Sequence, residues 1–264
     1  MRRTAARRSP LAQLEKSIHP SMTFELHSIL DKISSLPSDW HGSGTMSDVV
    51  LRALAAHAES NAPIHHSAET GSGKTTLLFS HLSTNHQVFA LDCGDSITRV
   101  KTSCLFNSSN VTYIEGPSQL TLPHHVFRDK LQIALIDGPH GYPFPDLEYY
   151  YFYPQIEPGG LLLIDDINIP SIERMFQIVR ADDMFELVEV VEYTAFLRRT
   201  EAPLVDPLSD SWWIQGFNRS HYEYAMARSR LPARSSLRLL TRLIPTSFKR
   251  LIPLHWKAHL LKRC

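Results

Sequence analysis

The chain has 264 residues, 43% of them hydrophobic, with 27 basic residues against 27 acidic ones. That length suits one α/β domain with extensions and a sizeable core, and the even charge argues against a general preference for polyanions. Three scattered cysteines, Cys93, Cys104 and Cys264, exclude a disulfide framework and a cysteine-based zinc site, and no apolar run reaches the length of a membrane span.

The even total conceals basic ends. Residues 1–13 carry Arg2, Arg3, Arg7 and Arg8 without an acid, and ten Lys or Arg follow Glu223, again without one. The N-terminal arginines lack the apolar core of a secretory signal behind them, so a cytoplasmic protein with a basic arm is expected. Between residues 11 and 36, Leu14, Ile18, Met22, Leu26, Ile29, Leu30 and Ile33 recur at helical spacing, broken near Pro20. This predicts an amphipathic segment that packs on the main domain or on a second copy in a homo-oligomer. Pro37 to Gly44 reads as a loop, and Ser47 with Asp48 can cap a helix running through Ala58.

The stretch Ile64 to Thr76 reads IHHSAETGSGKTT and admits two interpretations. From Ala68 to Thr75 it satisfies the loose phosphate-loop pattern of a nucleotide triphosphatase or kinase using Lys74 and Thr75, with Leu161 to Asp166 as a strand that supplies a magnesium-holding acid. Alternatively, Glu69, Gly71 and Gly73 form an acid and two glycines at a strand-to-helix turn, where the backbone approaches a ligand closely. Val88 to Leu91 then forms a second strand ending in Asp92, the position at which a doubly wound fold sets a carboxylate against ribose hydroxyls. Two carboxylates repel a triphosphate but attract the sulfonium and ammonium of S-adenosylmethionine. Val111 to Glu115 is a third strand, and Gly116, Pro117, Ser118 and Gln119 after it suit an adenine edge.

The stretch from Leu131 to Ile167 organises the rest. Ile133 to Ile136 and Leu161 to Ile164 are short runs apolar on both faces, as in buried parallel strands, and they end on Asp137 and on Asp165 and Asp166. A helix from about Asp146 to Ile156, closed by Pro158, Gly159 and Gly160, is expected between them. In an open α/β sheet the carboxyl ends of neighbouring strands share a crevice, so the three acids should converge. Ser171 to Arg180 reads as a helix, and Phe185 to Glu192 with Thr194 to Arg199 as an antiparallel hairpin at the sheet edge.

Taken in order and spacing, Glu69-Thr-Gly71-Ser-Gly73, Asp92, Gly116-Pro-Ser118-Gln119, Asp137-Gly-Pro-His140, the Pro158-Gly-Gly turn and Asp165-Asp166 resemble class I S-adenosylmethionine-dependent O-methyltransferases. The likeness is to the methyltransferase-24 type, similar to catechol O-methyltransferase and to metal-dependent sugar O-methyltransferases. It implies an α/β fold: a Rossmann-like, doubly wound, mostly parallel seven-stranded sheet ending in an antiparallel hairpin. Residues 45–200 would form the methyltransferase domain, 1–44 a basic arm and helical extension, and 201–264 a lid-like and basic amphipathic extension.

Carried over by position, the resemblance implies cofactor contacts from Met46, Glu69, Gly71, Gly73, Asp92, Ser118, Gln119 and Asp137. Asp137, Asp165 and Asp166 fall where metal-dependent members hold a divalent ion, and His140 falls where some sugar enzymes have their general base. Hard oxygen ligands suit magnesium or manganese, which lowers the pKa of a bound hydroxyl, while a histidine can take its proton. The expected acceptor is a small molecule with a hydroxyl, on a sugar, polyol or catechol-like ring. Departures from the pattern are the polar His65, His66 and Ser67 in the first strand and Lys74 inside the turn.

A catalytically silent Rossmann module that binds through its basic tail is a third interpretation. Trp212 and Trp213 suit a lid, an acceptor pocket, core packing or an oligomer contact alike. The tail from Arg228 alternates basic and apolar residues between Pro232, Pro245 and Pro253, which fits peripheral contact with an anionic membrane as well as a solvated docked segment. No motif accompanies the charge to suggest nucleic acid.

Overall fold

The computed structural model describes residues 24–42, 44–205, 210 and 212–229. The basic arm and, from residue 230 on, the basic tail predicted from the sequence lie outside these residues. The chain divides into two compact units, Met1–Asp210 and Ser211–Cys264.

The first unit is built on a seven-stranded sheet in the order β3-β2-β1-β4-β5-β7-β6. Its strands are β1 (Ile64–Thr70), β2 (Ser83–Ala90), β3 (Val111–Glu115), β4 (Leu131–Ile136), β5 (Ile156–Ile164), β6 (Phe185–Val191) and β7 (Thr194–Arg199). The first five pair in parallel, and β7 runs antiparallel between β5 and β6. Helices α1 (Phe24–Ser34), α2 (Asp48–Ser60), α3 (Lys74–Leu82), α4 (Ser96–Thr102), α5 (Ser118–Thr121), α6 (Phe144–Phe152) and α7 (Pro170–Val179) accompany it. This is the predicted doubly wound sheet with its closing hairpin.

Alternation along the strands builds two cores. Ile133, Leu135, Leu161, Leu163 and Phe196 join one cluster with α1, α2 and α3, whereas Ala134, Ile136, Leu162, Ile164, Ala195 and Leu197 join another with α6 and α7. Because both faces are covered along Ile133–Ile136 of β4 and Leu161–Ile164 of β5, these parts of the strands need apolar residues at every position, which is why they read as unbroken runs. Leu26, Leu30 and Ile33 of α1 are buried in the first cluster, so this part of the N-terminal segment packs on the domain. Ser47 caps α2 as expected, its hydroxyl accepting the Val50 amide at 3.4 Å.

Two local expectations change. The helix expected to reach Ile156 stops at Phe152, and after a turn of 3-10 helix Ile156 already pairs with Leu131. Pro158 to Gly160 therefore lie within β5, at a register irregularity, rather than at a helix end. The polar residues of β1 are partnered across the sheet: the Ser67 hydroxyl lies 2.8 Å from His86 Nδ1, both buried, which removes the penalty of an isolated polar group. In the second unit, Trp212 packs edge-on against Trp213 and Tyr222 of α8 (Gly216–Ser229), and both tryptophans remain exposed. Among the described residues no helix is long and apolar enough to cross a membrane.

Candidate active site

The chain winds outward from β1 toward β3 and then returns to lay β4 on the other side of β1. This reversal opens a crevice beyond the carboxyl ends of the strands. A cavity of about 490 Å³ occupies it, walled by Met46, Gly71, Gly73, Ser118, Gln119 and His140 among others. Asp137 also faces it.

The glycine turn after β1 forms one wall. Gly71 has φ +86°, and a Cβ there would stand 2.4 Å from the Asp137 carbonyl oxygen, so only glycine lets the turn lie against the end of β4. Gly73 precedes α3, and its amide donates to Thr76 Oγ1 at 3.1 Å. Thr76 in turn donates to Glu69. Glu69 is fully buried, with His86 Nε2 3.2 Å from its carboxylate. It stands behind the turn and does not line the cavity.

Lys74 does line the cavity, yet its ammonium donates to the Leu36 carbonyl at 2.7 Å, and desolvation lowers its pKa. A phosphate-loop lysine has to project its charge into the loop; this one is engaged with the segment after α1. His41, buried and beside Gly73, also walls the cavity. It belongs to a loop with no periodic pattern, and sequence reasoning passed over it.

Beyond β2, Asp92 Oδ1 accepts the amides of Ile97 at 2.8 Å and Thr98 at 3.2 Å, and Oδ2 takes the Thr98 hydroxyl at 2.6 Å. Hydrogen bonds from Thr98 foremost hold its carboxyl below the usual range. The carboxylate thus caps the start of α4, while its neighbours Leu91, Cys93 and Gly94 line the cavity. Ser118 is buried at the start of α5, and Gln119 follows it on the cavity wall.

The acids after β4 and β5 converge. His140 Nε2 lies 3.3 Å from Asp166 Oδ2 and 3.8 Å from Asp137 Oδ1. The backbone carbonyl of His140 accepts the Ser171 hydroxyl at 2.6 Å, anchoring this loop to α7. Asp166 adopts φ +54°, a left-handed conformation that Asp tolerates better than most residues and that turns the chain sharply after β5. Asp165 stands beside the group, and its Oδ1 takes the Thr194 hydroxyl.

Desolvation foremost, then repulsion from Asp165 and Asp166, pushes the Asp137 carboxyl up to about 7. Desolvation also raises Asp165. The His140 imidazole is raised, by Asp137 foremost and by the charges of Asp166 and Asp165, against an opposing desolvation. At 3.8 Å the Asp137 contact is an ion-pair distance rather than a hydrogen bond, and Asp166 is the nearer carboxylate.

One ligand atom each from Asp137, His140 and Asp166 lies within 4.8 Å of the others, a spacing that a divalent cation could bridge. Two carboxylate oxygens and an imidazole nitrogen form a donor set that suits manganese, iron or zinc as well as magnesium. The group differs from the one expected from sequence in having His140 where Asp165 was anticipated.

Two further residues escaped the sequence reading. Glu148, in the aromatic run of α6, is fully buried, and desolvation pushes its carboxyl up to about 7. Thr70, at the end of β1, donates to Glu148 Oε2 at 2.9 Å and accepts the Asp137 amide at 3.0 Å.

Residues 68–167 match the model of a family described as a methyltransferase domain. This stretch, less than half of the chain, runs from the glycine turn to the acids after β5, so the match supports a methyltransferase domain over that part of the chain. Among solved structures, the chain is similar to a candidate caffeoyl-CoA O-methyltransferase from Staphylococcus aureus, with 12% identity and a TM-score of 0.50 over 72% of this chain and 97% of that one. It is also similar to the O-methyltransferase NovP, with 16% identity and a TM-score of 0.49 over 66% and 99% of the two chains. At such identities the likeness concerns the fold. No curated protein matches the chain.

Proposed function

We propose that this protein transfers a methyl group from S-adenosylmethionine to an oxygen of a small hydroxylated acceptor, such as a sugar, polyol or catechol-like molecule. The observation that carries this reading is the continuity of one cavity from the glycine turn to His140 and Asp137. A nucleoside lodged at the turn would present its reactive carbon to the titratable group at the other end. In the proposed arrangement Gly71, Gly73 and Met46 contact the amino-acid portion of the cofactor, and Ser118 and Gln119 meet the adenine. Glu69 and Asp92 support this wall from behind, through Thr76 and through α4.

S-adenosylmethionine supplies an electrophilic methyl group, so the new oxygen–carbon bond forms as the sulfur–carbon bond breaks. An alcohol is a weak nucleophile until its proton is removed. His140 Nε2 is proposed to take that proton, and Asp166 and Asp137 hold the resulting imidazolium. The same three side chains fit a divalent cation, which would acidify and orient the acceptor hydroxyl. Nε2 cannot both ligate a cation and accept the proton, so the two readings are exclusive at that atom. Activity retained in chelator selects the base, and activity abolished by chelator and restored by manganese selects the ligand.

Calorimetry tests the reading as a whole. S-adenosylmethionine and S-adenosylhomocysteine are expected to bind with micromolar affinity, Lys74→Ala to change that by less than about threefold, and ATP not to compete. ATP binding lost in Lys74→Ala, with no response to S-adenosylmethionine, would return the chain to the phosphate-loop reading.

A further inference from the structure

We infer that Glu148 is a positioning residue that ties together the turns beneath the cavity and thereby sets the direction of Asp137. Its meaning for catalysis rests on the function proposed above; the tie itself does not. A carboxyl with no access to water has to be satisfied by what touches it, and a helix otherwise rich in tyrosine and phenylalanine gains nothing in packing from an acid. What touches Glu148 comes from three separate segments.

From the end of β1, the Thr70 hydroxyl donates to Glu148 Oε2 at 2.9 Å. The same hydroxyl oxygen accepts the amide of Asp137 at 3.0 Å, so two hydrogen bonds in series fasten the peptide of Asp137 to α6. From the turn after β4, Gly138 lies directly on the carboxyl: a Cβ at that position would stand 2.0 Å from Glu148 Oε1. Ser118, at the start of α5, is close enough for its hydroxyl to act on the Glu148 carboxyl. Thr70 precedes Gly71, Ser118 precedes Gln119 and Gly138 follows Asp137, so each contact lies next to a residue on the cavity wall.

Oε1 has no partner of good hydrogen-bond geometry. A neutral acid tolerates that position better than a carboxylate, in keeping with the upward displacement that burial imposes. A neutral group of the same shape should therefore serve in its place. Glutamine qualifies, because its carboxamide oxygen can still accept from Thr70, and leucine does not.

The test uses the full chain in four forms: wild type, Thr70→Val, Glu148→Gln and Glu148→Leu. Amide hydrogen exchange is followed over residues 134–141, with the β2 amides as an internal reference, and S-adenosylhomocysteine is titrated by calorimetry. Thr70→Val and Glu148→Leu are expected to speed exchange at Asp137 and Gly138 at least about tenfold, with β2 unchanged, and to weaken S-adenosylhomocysteine about tenfold. Glu148→Gln should match the wild type in both measurements. Wild-type exchange rates in Thr70→Val, or a Glu148→Gln protein that behaves like Glu148→Leu, overturn the tie. Thr70→Val is nearly isosteric and decides the matter alone should Glu148→Leu fail to fold. The two ideas fail separately: a wild type that binds no S-adenosylhomocysteine but shows the exchange pattern loses the methyltransferase reading and keeps the tie.

Discussion

His140→Gln is expected to lower kcat by about 10²–10⁴-fold while leaving the affinity for S-adenosylhomocysteine within about a factor of two. The asymmetry follows from position. His140 faces the acidic end of the cavity, and its Nε2 is directed at Asp166 and Asp137 rather than at the glycine turn. The substitution removes the base and keeps a side chain of similar reach, so its effect should fall on the chemical step. Steady-state and single-turnover rates with a reactive acceptor, alongside calorimetry, separate the two quantities. A variant with wild-type kcat would show His140 to be a bystander, and a lost affinity would move it into the cofactor site.

The pH profile adds a sign. Asp137, assisted by Asp166 and Asp165, raises the His140 pKa above its ordinary value of 6.5. The base is active when deprotonated, so the rising limb of kcat/KM should lie above that value, and activity should fall as pH is lowered through it. Asp166→Asn removes one of the charges that stabilise imidazolium and should shift the limb toward lower pH. Because the groups interact, the limb reports the cluster rather than one residue. A limb that stays in place in Asp166→Asn would disconnect that carboxylate from the base.

Glu148→Gln is expected to remove a pH dependence of stability worth about 3–4 kcal/mol, the product of about 1.4 kcal/mol per unit and the displacement of this carboxyl. Burial raises it from 4.5 to about 7. A group whose pKa is raised by folding favours the native state most below its unfolded value, and that contribution is lost as pH rises through its folded value. Wild-type stability therefore loses this contribution between pH about 4.5 and 7, after which it is level. The glutamine variant carries no such titration, and all other groups are common to both proteins. The difference in unfolding free energy between variant and wild type, measured in urea at intervals from pH 4.5 to 8, should move in favour of the variant by that amount. A difference independent of pH would mean that Glu148 is charged in the folded protein across the range.

Much of the framework was legible without coordinates. The inner parts of β4 and β5, Ile133–Ile136 and Leu161–Ile164, were readable because strand segments covered on both faces are apolar at every position, and the hairpin of β6 and β7 because two extended runs share a tight link. Glu69, Gly71 and Gly73 marked the strand-to-helix turn, since the backbone there needs conformations and clearances that few residues permit. Boundaries were less secure: Pro158 to Gly160 carry a helix-stop composition but lie in β5, because the pairing of Ile156 with Leu131 begins the strand early.

By itself, then, the sequence determined the order of elements, the doubly wound class and the crevice beyond the carboxyl ends of the strands, which Asp137 lines, all of which follow from local periodicity and the topology it permits. Only the tertiary structure decided which of the acids after β4 and β5 meets His140, that Asp92 is occupied with the start of α4 and Glu69 with Thr76 and His86, and that Lys74 is drawn to Leu36. It also decided that an acid in an aromatic helix reaches the turns under the cavity. A side chain's partner depends on distances between segments remote in the chain, which no spacing within one segment records, whereas a strand's burial leaves its mark on every residue it contains.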